Sequence, residues 1–348
     1  MDSEGSDAQF FTQLKYDLDA AVDMAMSIME DEGMFKGKDS RFIDHSRSDF
    51  KIHFQYVLEA IQAGSASLFT DYVEWNRVFF RGLGLEYVVA PTFRIIRDVL
   101  VKMGLGIDVD PILAPGMARL TESYDDVEIG FEGRPHSNLA ESYCRALLKG
   151  ERERAWELIK EAMDDGVGIL DIYEHVFQPS LRNVGLLWQT GRISVAKEHL
   201  FTSSTQNLMA RLYPYIFIKP PSKSKVMAAC VPGELHEMGI RMITDILELE
   251  GYDTTYLGAN TPSDAIVSML KESGAKILLL SATMTYHMER LQALISLIRA
   301  DQGTKDVSVL VGGRPFLIDG NLWRTVGADG YSKDMKEAIT MVASFDEA

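Results

Sequence analysis

Apolar positions along the chain change their period twice. Through the first 125 or so residues they recur at helical spacing, over 50–61, 68–80 and 92–101, with turns expected at Gly64 and Pro91 and no strand-like alternation. The segment 121–137, TESYDDVEIGFEGRPHS, is acidic and turn-rich and reads as a linker. Helical spacing then resumes over 138–149, 151–164, 168–188 and 193–216, broken only at Gly150, Gly166 and Thr190-Gly191. Connections that short make the helices antiparallel neighbours, which predicts a four-helix bundle. Asp171 and Ser194 stand where a short oxygen side chain would cap a helix start. Residues 219–225, KPPSKSK, interrupt all periodicity as a stiff spacer.

Beyond the spacer the pattern alternates between strand and helix. Short apolar runs at 225–231, 252–257, 277–280 and 307–311, with a weak last strand near Gly330-Tyr331, are separated by helical patterns at 235–250, 262–273, 286–300 and 333–344. Five such units predict a doubly wound parallel sheet of the flavodoxin-like kind, whose ligands sit beyond the carboxyl ends of the strands. The expected architecture is therefore α + α/β: a helical domain over 1–125, a bundle over 126–218 and an α/β domain over 225–348.

Composition narrows the function classes. The net charge of −16 is spread out, with 24 basic and 34 acidic side chains in 1–224 and 11 and 17 in 225–348. Clustered Lys and Arg are what hold a phosphate backbone, and no such cluster occurs, so direct nucleic-acid binding is not expected. Cys144 and Cys230 lie within apolar runs, which argues against a disulfide framework or a cysteine metal site. The acidic start MDSEGSDAQF is unlike a secretory signal, and no apolar run approaches the roughly 20 residues that span a bilayer; a soluble, cytoplasmic protein is expected.

Candidate chemistry falls at three successive strand ends. The first expected strand runs into Val231-Pro-Gly-Glu-Leu-His-Glu-Met-Gly239, the third ends in Ser281-Ala-Thr283, and the fourth in Gly312-Gly313. Imidazole is a nitrogen donor for transition metals, and a carboxylate on its other nitrogen fixes the tautomer and raises basicity, which makes Glu234 and His236 candidates for such a pair. Glycines at 239, 312 and 313 allow backbone to pass close to a ligand, and Ser281 and Thr283 offer hydroxyls.

These residues resemble the Asp-x-His-x-x-Gly, Ser-x-Leu/Thr and Gly-Gly signature of cobalamin-binding domains, with Glu234 in place of the commoner Asp. The resemblance implies cobalamin bound with its own base displaced and His236 as the lower axial ligand of cobalt. It also implies that Gly239, Ser281, Thr283, Gly312, Gly313 and Gly330 line the buried tail.

A second motif lies in the bundle, where Trp188, Glu198 and His199 match the Trp-x9-Glu-His pattern of cobalamin-dependent photoreceptors. That likeness implies that Trp188 covers the upper face and an adenosyl group, with Glu198 and His199 bordering it. Light breaks the weak Co–C bond of adenosylcobalamin, and a void left under Trp188 would drive rearrangement. The position after the tryptophan, a histidine in transcription-regulating members, is Gln189, which leaves the upper ligand after illumination open between His199 and water.

Residues 1–134 hold 17 of the 33 aromatic side chains. Tyr72, Trp75 and Phe79 share a helical face, Tyr56 sits on the preceding helix, and Arg77 and Arg94 are nearby cations, a set suited to a flat pigment bearing carboxylates. The whole arrangement resembles the photocobilins, which place biliverdin near B12. The leading expectation is a non-enzymatic light sensor that signals through a homo-oligomer or a protein partner. The alternatives are a corrinoid methyl carrier serving a methyltransferase and a light-independent B12-responsive regulator.

Overall fold

A computed structural model of the chain describes residues 18–103, 108–123, 128–218 and 220–347. It contains two compact units, Met1–Asp125 and Asp126–Ala348. Among the described residues no helix is long and apolar enough to cross a membrane.

The first unit is helical: α1 Leu18–Asp31, α2 Ser40–Gln62, α3 Ala66–Gly82, α4 Val89–Lys102 and α5 Asp110–Arg119. Helix α2 starts well before its apolar stripe because Asp39 caps it, accepting from the Phe42 N–H at 2.9 Å. Pro91, expected in a turn, lies inside the first turn of α4. A proline there loses no intrahelical hydrogen bond. The interior is aromatic, with Phe50, Phe54, Phe69, Tyr72 and Phe93 all buried. Buried among them, His53 touches Phe50, Tyr72 and Phe93 edge-on or tilted, and burial pushes its pKa down to about 4.

The second unit opens with the bundle: α6 Ser137–Leu148, α7 Arg152–Asp164, α8 Ile169–Ile172 continuing through a π-turn Tyr173–Phe177 into α9 Gln178–Gln189, and α10 Val195–Ile216. Ser194 caps α10 through the Lys197 N–H. Asp171 does not cap: Gly168 holds that place and Asp171 stands in the first helical turn, where its charge favours the helix N-terminus.

The sheet comprises β1 Lys225–Cys230, β2 Asp253–Tyr256, β3 Ile277–Ser281, β4 Ser308–Gly312 and β5 Gly330–Ser332. All pairs are parallel, in the order β2-β1-β3-β4-β5, the flavodoxin-like winding. Helix α11 Met238–Leu249 follows β1, α12 Ser263–Ser273 follows β2, α13 Met288–Ala300 follows β3, and α16 Met335–Asp346 follows β5. Two helices between β4 and β5, α14 Arg314–Ile318 and α15 Leu322–Thr325, are too short to leave a periodic trace in the sequence.

Val226, Ala228 and Cys230 alternate with Met227 and Ala229, so β1 presents one face to Ile240 and Leu247 of α11 and Val342 of α16. The bundle core runs on into Met242 and Ile246 of α11 and Met335 of α16. The spacer is tied down as well, since Ser222 and Lys223 both donate to the carbonyl of Gly251. Bundle and α/β part thus share one interior.

A polar contact crosses this interior. The Tyr173 hydroxyl, on the π-turn, donates to Asp245 of α11 at 2.8 Å. Burial pushes the Asp245 carboxyl up to about 6, against the opposing influence of Tyr173 and Arg241. A folded pKa above the unfolded one means the contribution is fully present in acid and lost as pH rises through about 6. Asp245→Asn is therefore expected to stabilise the fold at neutral pH by on the order of 2 kcal/mol, with a higher unfolding temperature, and to change it little at pH ~4. Thermal unfolding at the two pH values checks this, and an equal shift at both would contradict it.

Candidate cofactor site

The site is built at the carboxyl end of β1. Glu234, wholly buried at 0% exposure, lies in the turn between β1 and α11. Its Oε1 accepts from the backbone N–H of Leu235 and His236, each at 2.9 Å, and from His236 Nδ1 at 2.5 Å. Its Oε2 accepts from the N–H of Thr283 at 2.7 Å and Met284 at 3.1 Å, and from Nδ1 of His287 at 3.1 Å. Burial alone would raise the carboxyl, but the hydrogen bonds from His236, His287 and the backbone outweigh it and hold Glu234 well below the usual carboxylate range.

A carboxylate only accepts, so His236 must carry its proton on Nδ1. Its Nε2 then presents a lone pair, with no hydrogen-bond partner among the described residues, on a side chain that is 57% exposed. The hydrogen bond to Glu234 raises the His236 pKa, burial opposes it, and the charges of Glu234 and Glu198 add to the rise. Beside it Leu235 is 70% exposed. A basic imidazole nitrogen next to a bared apolar side chain suits a metal carried in a broad, largely apolar ring.

The bundle stands over this loop. Glu237, next to His236, accepts from Gln206 of α10 at 2.8 Å on one oxygen, and from the Tyr256 hydroxyl and the Ala259 N–H on the other. Glu198 in the first turn of α10 accepts from Thr202 at 2.8 Å and from Nδ1 of His199 at 2.5 Å. Trp188 is half-buried at the end of α9, Gln189 is buried, and the side chain of His199 is 75% exposed. The structure thus brings Glu198 within electrostatic reach of His236, and leaves His199 facing solvent in the grip of Glu198.

Other expected site residues have roles set by the protein itself. Thr283 contributes its backbone N–H to Glu234. Gly313, at φ +118, is required because a Cβ would overlap the Ala282 backbone carbonyl, whereas a Cβ at Gly330 would press only on the flexible end of Met341. Gly312 and Ser281 are half-buried at the strand ends, and Gly239 opens into free space at the start of α11.

In the first unit, Tyr56 and Tyr72 stack at 3.7 Å and Trp75 stacks on Phe79 at 5.1 Å. Both arginines proposed to hold pigment carboxylates already hold this chain's own groups. Arg77 is buried against Glu74 at 2.9 Å and donates to the carbonyl of Glu122 at 2.8 Å. Arg94 is bound to Glu32 at 2.6 Å and to Asp98 at 3.5 Å.

Comparison with known proteins agrees with the geometry of the second unit. A B12 binding domain family matches residues 224–340, and a second B12 binding domain family matches residues 139–213. The second unit is a cobalamin-binding module. A corrinoid protein of Desulfitobacterium hafniense (strain Y51) is 24% identical over 209 residues, 59% of this chain and 95% of that protein. Monomethylamine corrinoid protein 1 of Methanosarcina acetivorans is 25% identical over 193 residues, 52% of this chain and 85% of its own length. The solved monomethylamine corrinoid protein of Methanosarcina barkeri superimposes with a TM-score of 0.54 at 22% identity, over 60% of this chain and 99% of that one, which shows a shared fold. Both domain matches of the cobalamin-binding module fall in the second unit.

Two contributors escaped the sequence reading. His287 was hidden because it lies 53 residues from the carboxylate it serves. Gly233 was passed over although its backbone, at φ +89, favours glycine; its Cβ position lies 3.2 Å from His287 Nε2.

Proposed function

We propose that the chain is a corrinoid carrier, not an enzyme in itself, that holds cobalamin with His236 as the lower ligand of cobalt and exchanges a methyl group with a methyltransferase partner. The observation that carries this is the Glu234–His236 pair, whose 2.5 Å hydrogen bond leaves Nε2 free to bind a metal. Bound cobalamin would supply a cobalt centre able to take up and release a methyl group on its upper side. Glu234 fixes the imidazole, Glu237 and Gln206 hold the bundle over the loop, and the bundle shields the upper side until a partner displaces it. The relatives named as corrinoid proteins support the reading, because the aligned stretch takes up 85% to 95% of their length.

Purified protein loaded with methylcobalamin in the dark is expected to lose the methyl group to a thiol once a corrinoid–thiol methyltransferase is added, followed by the visible spectrum. An unchanged spectrum would contradict the carrier reading.

A second reading, adenosylcobalamin-dependent light sensing, is favoured by one observation: Glu198 and His199 stand at the start of α10, the helix whose Gln206 bonds Glu237 beside His236. Green illumination of the adenosylcobalamin form that alters oligomeric state, with no methyl transfer in the dark, would select it. Biliverdin has no part in either reading, since Arg77 and Arg94 are taken up by Glu74, Glu32 and Asp98.

A further inference from the structure

We infer that His287 is a positioning residue for the cobalt ligand, acting through Glu234. The inference rests on the reading of His236 as that ligand and adds the group that holds its carboxylate. Glu234 serves two histidines at once: Oε1 takes His236 Nδ1 and Oε2 takes His287 Nδ1. The acceptor-only carboxylate forces both imidazoles to donate from Nδ1. The carboxylate is thereby clamped at both ends, and its rotation, which would swing Oε1 away from His236, is blocked.

His287 is itself built in. It ends the 3-10 turn Thr285–His287 that leads from β3 into α13, and it is 2% exposed. The Tyr286 ring meets it edge-on at 4.4 Å. The β1–α11 turn passes over it at Gly233, whose positive φ and missing side chain let the chain approach His287 Nε2, while Arg290 reaches across to the Pro232 carbonyl at 3.2 Å. A rigid ring walled in this way, from a different loop, adds a side-chain donor to the backbone N–H groups of Thr283 and Met284 that hold Oε2. Groups behind a metal-bound histidine fix its orientation and basicity, and their loss costs about 10- to 100-fold in metal affinity.

The test compares His287→Ala with His287→Asn, because asparagine places a side-chain N–H close to where Nδ1 lies. Each variant, as the full chain, is titrated with hydroxocobalamin and then reduced to the cob(II)alamin form. Electron paramagnetic resonance reads the fraction that keeps a nitrogen below cobalt. The expected result is about tenfold weaker binding and a larger fraction without that nitrogen for alanine, with asparagine close to the parent protein. Unchanged binding and spectrum in His287→Ala, or equal loss in both variants, would overturn the positioning role. A parent protein with no histidine nitrogen on cobalt would instead overturn the reading of His236 on which it rests.

Discussion

Glu234→Ala will destabilise the protein more than any other single change at the site. The buried carboxylate accepts from four backbone N–H groups and two imidazoles. Alanine leaves all of them facing a cavity. Removing one partner from a buried charged network costs about 3–5 kcal/mol, and water entering beside the exposed His236 ring favours the lower end. For a unit of this size that is a fall of about 10 °C in unfolding temperature. Because the Glu234 pKa is depressed in the fold, its contribution is present above the ordinary carboxylate range and is lost as pH falls. The parent and variant should therefore differ most at neutral pH and converge in acid. Circular dichroism melts of the apo-protein check this; a loss below about 1 kcal/mol at neutral pH would mean that the network does not hold the loop.

His236→Ala separates the ligand from the fold. Its ring is 57% exposed and gives up a single hydrogen bond, while Glu234 keeps its bonds to the backbone and to His287. Secondary structure and unfolding temperature are expected to stay near those of the parent. Cobalamin affinity is expected to fall at least about 100-fold, since the ligand itself is gone rather than a group behind it. Titration with hydroxocobalamin reads the change, and an affinity within a factor of a few of the parent would show that His236 does not bind cobalt.

The α/β half of the molecule was legible because β1, β3 and β4 are apolar runs bounded by turns and the helices after β1, β2, β3 and β5 are long enough for their stripes to show, unlike α14 and α15. The parallel, doubly wound character of the sheet followed from the alternation, while the strand order β2-β1-β3-β4-β5 was seen only in the structure. The Glu234–His236 pair was legible too, being two residues apart in one turn. What sequence cannot carry is a partner on a different loop: His287, Thr283 and Met284 meet Glu234 only because β1 and β3 are neighbours in the sheet. The same limit applies in the first unit. Arg94 looks like a free cation until Glu32, 62 residues away, is seen to hold it, and Arg77 until Glu74 closes on it. Glycine identity was likewise visible while one cause was not: Gly313 also answers to the backbone carbonyl of Ala282 on the neighbouring strand end.

The light-sensing expectation drew on the lid formed by the bundle, yet a bundle-type B12 binding domain match spans residues 139–213, so the lid by itself does not separate a sensor from a carrier. The helical first unit lies outside both B12 binding domain matches. The two proposed readings share His236 beneath the cobalt, which makes that bond the central claim.

The most direct measurement is the electron paramagnetic resonance spectrum of the cob(II)alamin form, taken with protein grown on unlabelled and on 15N-labelled histidine. With His236 on cobalt, each line splits into three by 14N and collapses to a pair with 15N. Splitting that stays threefold in the labelled protein, or none in either sample, would contradict it.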